Sequence, residues 1–423
     1  MESSLHDSLM LAIMFGSGFL LSRIFIKCGI AETLVTFFLY KSKGHISLII
    51  VFIVFLSSII SMFVPNIIAV LTMIPILHIL KKDLDKTHSQ DNALATALSM
   101  ANLYGANIGG VGFIIGSTTN IILITFLYIN KIEGAGKLNF ISWIGWGVPF
   151  VIVFNVIACS MIIFLLIPRK LRKTRLNTEM IHSHRNTYSH QKMAIALSVI
   201  FFFFWIVLSA IHLLDKQKDL PYVLAIAVFY FIAFGVVSFS IKFHDRKTNV
   251  RSRLLTPKDL IADLPKKGLI LVAVTLGLAT LLLILKIDNK IFEMLGVTTL
   301  PSIFSKKNGA VLLISVIVTT LTVFISEFMS NTATAITFLT VSTVLCESLH
   351  IPALPILIGI SIIATVPSMS PIASPVNAMA YGGIKGVSLK RMMLVGFVMD
   401  LIAIALVNLW ALIYIPWYYR IQL

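Results

Sequence analysis

Charge is what this chain has least of: Asp, Glu, Lys and Arg make up 12% of its 423 residues, and only 18 residues are acidic. Its three cysteines, Cys28, Cys159 and Cys346, lie scattered in apolar surroundings. That spacing supports neither a disulfide framework nor a zinc centre, so they read as packing residues. A basic leader is also missing. The stretch from Met1 to Asp7 is acidic, which argues against a cleaved signal peptide. The apolar runs contain no convergent His/Asp/Glu cluster and no serine paired with a base, so an enzyme is not expected.

Apolar surface is present in excess. With 58% hydrophobic residues and a mean hydropathy of +0.96, the chain carries more of it than a soluble fold could hide. Its runs are long rather than alternating segments of about ten residues, so the spans are helices and not barrel strands. The net charge of +16 falls in short loops, a pattern that orients membrane proteins, and no nucleic-acid partner is expected. If the loop after Ile167 is cytoplasmic, most Lys and Arg collect on that side and both termini lie outside the cytoplasm. The expected location is a bacterial inner membrane. The basic run from Pro168 to Arg175 serves orientation or lipid headgroups.

A small polar knot, Ser326-Glu327-Phe328-Met329-Ser330-Asn331-Thr332-Ala333-Thr334-Ala335, interrupts two apolar runs. Polar groups at such depth are costly unless used, although serines and threonines also bond back to their own helix. A second copy, Ser61 to Thr72, shifts the balance. Laid on Ser326 to Thr337 without gaps, it matches at Ser61/Ser326, Phe63/Phe328, Asn66/Asn331 and Thr72/Thr337. Each copy is followed by a Gly- or Pro-rich stretch, Gly109 to Asn120 and Pro367 to Asn377, and both stretches end in Ser-x-x-Asn. Such residues unwind a helix and free backbone groups that must face a cavity or an ion. Paired interruptions in two halves are the sequence mark of a transporter's binding site.

The expected fold is an all-α polytopic membrane protein built from inverted repeats, each with a re-entrant helical hairpin and a broken transmembrane helix. The first repeat covers 1–167, with an arm helix, a hairpin over 46–80, a broken helix over 93–129 and a helix over 141–167. Loops and two scaffold helices fill 168–265. The second repeat covers 266–423, with an arm helix over 268–285, a hairpin over 308–349, a broken helix over 351–384 and a final helix. The second arm of the first hairpin, 67–80, would reach only about 21 Å against a hydrocarbon core of about 30 Å.

Ser330-Asn331-Thr332 within its knot, together with Ala373-Ser374-Pro375-Val376-Asn377 and the glycines Gly109, Gly110, Gly112 and Gly116 before Ser117, resembles the signature of the divalent anion:sodium symporter family. The likeness covers most of the chain from about Ser8 onward. It implies elevator-type secondary transport, Na⁺ bound at each hairpin tip, and a di- or tricarboxylate or sulfate between them. Where the family has Ser-Asn-Thr, the first tip reads Pro65-Asn66-Ile67, and Thr118-Thr119 stands where the family usually has prolines. The chain also begins at the family's arm helix without the spans that precede it there, so a homodimer stays an open expectation.

Carried over residue by residue, one Na⁺ cage is expected from Ser61, Asn66 and the backbone near Gly116, the other from Ser326, Asn331 and the backbone near Ala373. The anion is expected to meet Asn66, Ser117, Thr118, Ser330, Asn331, Thr332 and Pro375, aided by positive half-helix N-termini. No Arg or Lys sits near either tip, so dipoles and bound cations must hold the anion. Glu327, Asp400 and Glu347 are weaker candidates, and Glu327 could equally face an exposed mouth. His78, Trp143, Trp146, Trp410 and Trp417 read as interfacial residues. An exporter or antiporter of another solute, or a non-transporting membrane sensor, stays open as an alternative.

Overall fold

The computed structural model describes residues 2–30, 33–34, 37, 41–42, 44–87, 92–169, 171–172, 190–214, 220–245, 249–261 and 307–422. The protein is an all-α polytopic membrane protein. Among the described residues six helices are long and apolar enough to cross a bilayer: Leu9–Lys27, Ile46–Phe63, Phe140–Leu166, Gln191–Ile211, Tyr222–Phe239 and Leu389–Tyr419. The arm helix expected over 268–285 lies outside the described residues.

The chain divides into two compact units. The first comprises Met1–Ser117, Asn139–Leu264 and Met379–Ser388. It holds α1 (Glu2–Lys27), α2 (Ile46–Phe63), α3 (Asn66–Thr87) and α4 (Asn92–Gly109). Helix α6 (Phe140–Met161), extended by a π turn over Ile162–Leu166, follows after the gap in this unit, then α7 (Gln191–Leu214) and α8 (Leu220–Phe239). A β-ribbon, β1 (Lys242–Asp245) with β2 (Val250–Arg253), and the short α9 (Pro257–Ile261) complete the run. The second unit comprises Thr118–Leu138, Pro265–Ala378 and Leu389–Leu423. It holds α5 (Thr118–Ile129), α10 (Lys307–Ser326), α11 (Asn331–Ser348), α12 (Ala353–Thr365) and α14 (Leu389–Leu409), with a π turn over Trp410–Tyr414 and α15 (Ile415–Tyr419). Helix α13 (Pro375–Gly382) begins in this unit.

Glycine sets the closest packing of the first unit. A Cβ on Gly105 would lie 2.3 Å from the Val54 carbonyl oxygen, and one on Gly109 would lie 2.3 Å from that of Ser58. Only bare backbone lets α4 approach α2 so closely, the small-residue mode of membrane helix packing. Side-chain amides lock the same region: Asn102 donates to the Val70 carbonyl at 3.1 Å while its oxygen accepts the Ser57 hydroxyl at 2.8 Å. Asn155 on α6 donates to Ser58 at 2.8 Å. In the second unit Asn408 on α14 donates in the same manner to Thr319 on α10 at 2.8 Å.

Two expectations need correction. Helix α3 does not stop at Leu80 but runs on to Thr87, because Lys81, Lys82, Leu84 and Lys86 are good helix formers. Its 22 residues reach about 33 Å, so shortness is no argument about how it lies. Trp143, Trp146 and Trp410 are not exposed interfacial anchors: all three are buried. Trp417, by contrast, is 72% exposed. All three cysteines are buried and none is in a disulfide among the described residues.

Candidate functional site

In the first unit the tip forms because Pro65 forces the residue before it out of helical conformation. Val64 is extended (φ −127°, ψ 154°), and α3 restarts at Asn66. Across this corner the Ser61 hydroxyl donates to the Asn66 carboxamide oxygen at 2.7 Å. Asn66 lies against the first helix break: a Cβ on Gly110 would meet Asn66 Oδ1 at 2.6 Å, and one on Gly116 would meet the Gly110 carbonyl at 2.7 Å. Ser61, Asn66 and the Gly110–Gly116 backbone are therefore brought together. Gly116 and Ser117 are buried and Thr118 is exposed at the start of α5.

Two residues of α6 shape that break. The Trp143 indole donates to the Val111 carbonyl at 2.9 Å, satisfying a backbone oxygen that the unwound helix left free. Gly147 admits the same loop, since its Cβ would stand 2.8 Å from the Gly112 carbonyl. Nothing in the sequence marked Trp143 for this task, because a tryptophan near a helix start also fits an interface belt. Phe63 holds the tip from the other side, stacked on Phe25 at 5.0 Å and edge-on to Phe113 and Phe202 at 5.4 and 5.2 Å.

The second unit repeats the central contact. The Ser326 hydroxyl donates to Asn331 Oδ1 at 3.1 Å, with Ser326 fully buried and Asn331 half-buried at the start of α11. Ser330 is half-buried, Thr332 is 9% exposed, and Phe328, the counterpart of Phe63, is 70% exposed. Ala373 is buried and donates its amide to the Ser370 carbonyl at 3.3 Å; Pro375 is exposed at the start of α13.

Here acidic residues tie tip to break. Glu327 does not face an exposed mouth: it is fully buried, and its two oxygens accept the amides of Met369 at 2.8 Å and Ser370 at 2.6 Å. Asp400 on α14, also fully buried, accepts the Ser368 amide at 3.2 Å. Gly396 makes room, as its Cβ would lie 2.4 Å from the Ser368 carbonyl oxygen. The Asn377 side chain then closes the break by donating to the carbonyls of Pro367 at 3.1 Å and Ser370 at 2.9 Å. Ser374 caps α13, accepting the Asn377 amide at 3.2 Å as an N-cap serine does. In this unit the serine of Ser-x-x-Asn is thus a helix cap and the asparagine a clasp for the break.

Each unit accordingly presents a serine and an asparagine oxygen at hydrogen-bond separation, next to irregular backbone. Neutral oxygens suit a hard cation such as Na⁺. Among the described residues no group of three or more His, Cys, Asp or Glu could hold a metal, so a cation at either tip would rest on such oxygens.

Comparison with known proteins places the chain in a family. A family model described as citrate transporter (CitMHS) matches residues 5–253. The sodium-dependent dicarboxylate transporter SdcS of Staphylococcus saprophyticus is 25% identical over 370 residues, 84% of this chain and 67% of that protein. An uncharacterized transporter of Haemophilus influenzae is 23% identical over 375 residues, 86% of this chain and 72% of that one. One of Methanocaldococcus jannaschii is 24% identical over 367 residues, 86% and 73%.

Proposed function

Because the chain belongs to the citrate transporter family and is a transporter of the citrate and dicarboxylate type, we propose that it couples uptake of a di- or tricarboxylate or sulfate anion to Na⁺ by an elevator-type movement. The observation that carries this reading is the repeated oxygen pair, Ser61 with Asn66 and Ser326 with Asn331. The Staphylococcus relative, a sodium-dependent dicarboxylate transporter, supports the same coupling.

In this proposal Ser61, Asn66 and the backbone at Gly116 hold one cation in the first unit, and Ser326, Asn331 and the backbone at Ala373 hold one in the second. Bound Na⁺ supplies the positive charge that an anion needs in a membrane interior. The residues do the rest. When the Ser61 and Ser326 hydroxyls turn their protons away from the asparagine oxygen, both oxygens of each pair become available as acceptors. Asn66, Ser117, Thr118, Ser330, Asn331, Thr332 and Pro375 are the groups proposed to meet the anion. Glu327 and Asp400, which hold amides 368–370, keep the second break in the shape that its tip requires.

Uptake of labelled citrate, succinate and sulfate into proteoliposomes, with and without an inward Na⁺ gradient, tests the proposal. Uptake that depends on Na⁺ and fails in Asn331→Ala supports it. Equal uptake in K⁺ and Na⁺ would refute the coupling.

A further inference from the structure

Charge also concentrates on the β-ribbon that follows α8. Its strands are antiparallel, with Lys242 opposite Arg253 and His244 opposite Arg251. Side chains alternate along a strand, so these residues share one face of the ribbon, and all of them are exposed. The other face carries the pair Phe243 and Ser252. That face is covered: His190 places its ring edge-on to Phe243 at 6.3 Å and its Nε2 2.8 Å from the Ser252 hydroxyl.

Like charges placed directly opposite one another weaken a strand pair, and a two-stranded ribbon has little stability to spare. A flank that only had to carry positive charge for orientation could hold it in loops or neutralise it. Lys27 is neutralised, paired with Asp259 at 2.7 Å. None of Lys242, Arg251 and Arg253 has an ion pair among the described residues. The charged face gains from its own arrangement only when negative charge lies upon it.

Position says where that charge would come from. The span Tyr222–Phe239 ends three residues before Lys242, and the Leu255 amide donates to the Ser238 carbonyl at 2.9 Å, so the ribbon leaves from and returns to the end of α8. With four residues per strand, it extends no more than about 13 Å from there. That is the depth of the headgroup layer and its nearby solution. We propose that the face formed by Lys242, His244, Arg251 and Arg253 binds the phosphate-bearing headgroups of anionic lipids.

The test uses the full chain in nanodiscs of phosphatidylcholine, alone or mixed with phosphatidylglycerol. The triple variant Lys242→Thr, Arg251→Thr, Arg253→Thr keeps strand-favouring side chains while removing the charge. In neutral lipid it should melt no lower than the native protein, because the like-charge pair Lys242–Arg253 is gone. Phosphatidylglycerol should raise the native melting temperature in a salt-sensitive way, and the variant should lose that rise, with phosphatidylglycerol retained roughly tenfold less tightly in native mass spectrometry. The single change Arg251→Thr should lose part of it. A variant that keeps the full rise, or one destabilised equally in both lipids, overturns the proposal. So does a native protein that shows the same rise with glycerol phosphate added to neutral nanodiscs, since the face would then read a soluble anion.

Discussion

The Ser61 hydroxyl sits 2.7 Å from the Asn66 carboxamide oxygen, and five-residue spacing recreates the pair as Ser326 and Asn331 at 3.1 Å. Each asparagine oxygen is thereby held in place before any ligand arrives. Removing it should cost binding rather than folding, since both asparagines are only half-buried. Asn66→Ala and Asn331→Ala should each abolish the rise in melting temperature that Na⁺ gives over K⁺, a rise set by site occupancy. His78→Ala, an exposed residue of α3, should leave it unchanged. A full Na⁺ response in both asparagine variants would remove these cages from consideration.

Neighbouring glycines of the first break should fail in different ways. A methyl on Gly109 would stand 2.3 Å from the Ser58 carbonyl oxygen and 2.5 Å from its Cα. Backbone cannot step aside, so Gly109→Ala should lower stability by about 1–3 kcal/mol, the usual cost of overpacking. A methyl on Gly110 would instead meet the Asn66 carboxamide at 2.6 Å, the far end of a side chain that can rotate. Gly110→Ala should keep its melting temperature in K⁺ within a degree or two and lose the Na⁺ response. Thermal melts of the two variants in both salts distinguish these outcomes.

The two oxygen pairs were legible because the sequence repeats itself: Ser, Phe and Asn recur at one spacing, and Gly- or Pro-rich breaks follow at another. Long apolar runs gave the start of α2 at Ile46 and the start of α6 to within one residue. What periodicity cannot show is a partner far along the chain. Glu327 meets amides 42 and 43 residues away, and Trp143 meets a carbonyl 32 residues away. An intramembrane acid or tryptophan advertises a need without naming what fills it. The extent of α3 is hidden for a different reason, since its last turns are polar and hydropathy ends before the helix does.

Asp259, outside the spans, pairs with Lys27 at the end of the first span and gives a pH dependence with a definite sign. Burial works to raise the Asp259 carboxyl, but the Lys27 ammonium and the hydroxyl and amide of Thr256, at 2.7, 2.8 and 2.6 Å, outweigh it and hold the group below its ordinary value. A folded value below the unfolded one, about 3.9, stabilises above that pH and is lost as pH falls through the folded value. Stability from this pair should therefore be flat from neutrality to about pH 5 and decline below about pH 4. Both partners are about a third exposed, so Asp259→Asn should cost less than about 1 kcal/mol at pH 7, with its melting curve converging on the native one in acid.

Glu327 makes the strongest single claim on the second break. Its oxygens take consecutive amides, of Met369 and Ser370, inside a fully buried pocket, while Asp400 takes the amide before them. Glu327→Gln preserves size but turns one acceptor into a donor that faces another N–H. One buried amide is then left unsatisfied, at about 1–3 kcal/mol. In the first unit Met62 stands at the matching tip position and reaches the matching break, its Cε lying 2.7 Å from where a Gly112 Cβ would be. An apolar side chain suffices there because the Trp143 indole supplies the polar contact to that loop. No such indole serves the second break among the described residues. Glu327→Met should therefore be worse than Glu327→Gln, with two amides orphaned instead of one, and its loss of stability should exceed that of Met62→Leu in the same detergent. Equal melting temperatures for Glu327→Met and the native protein would show that the second break holds its shape without the carboxylate.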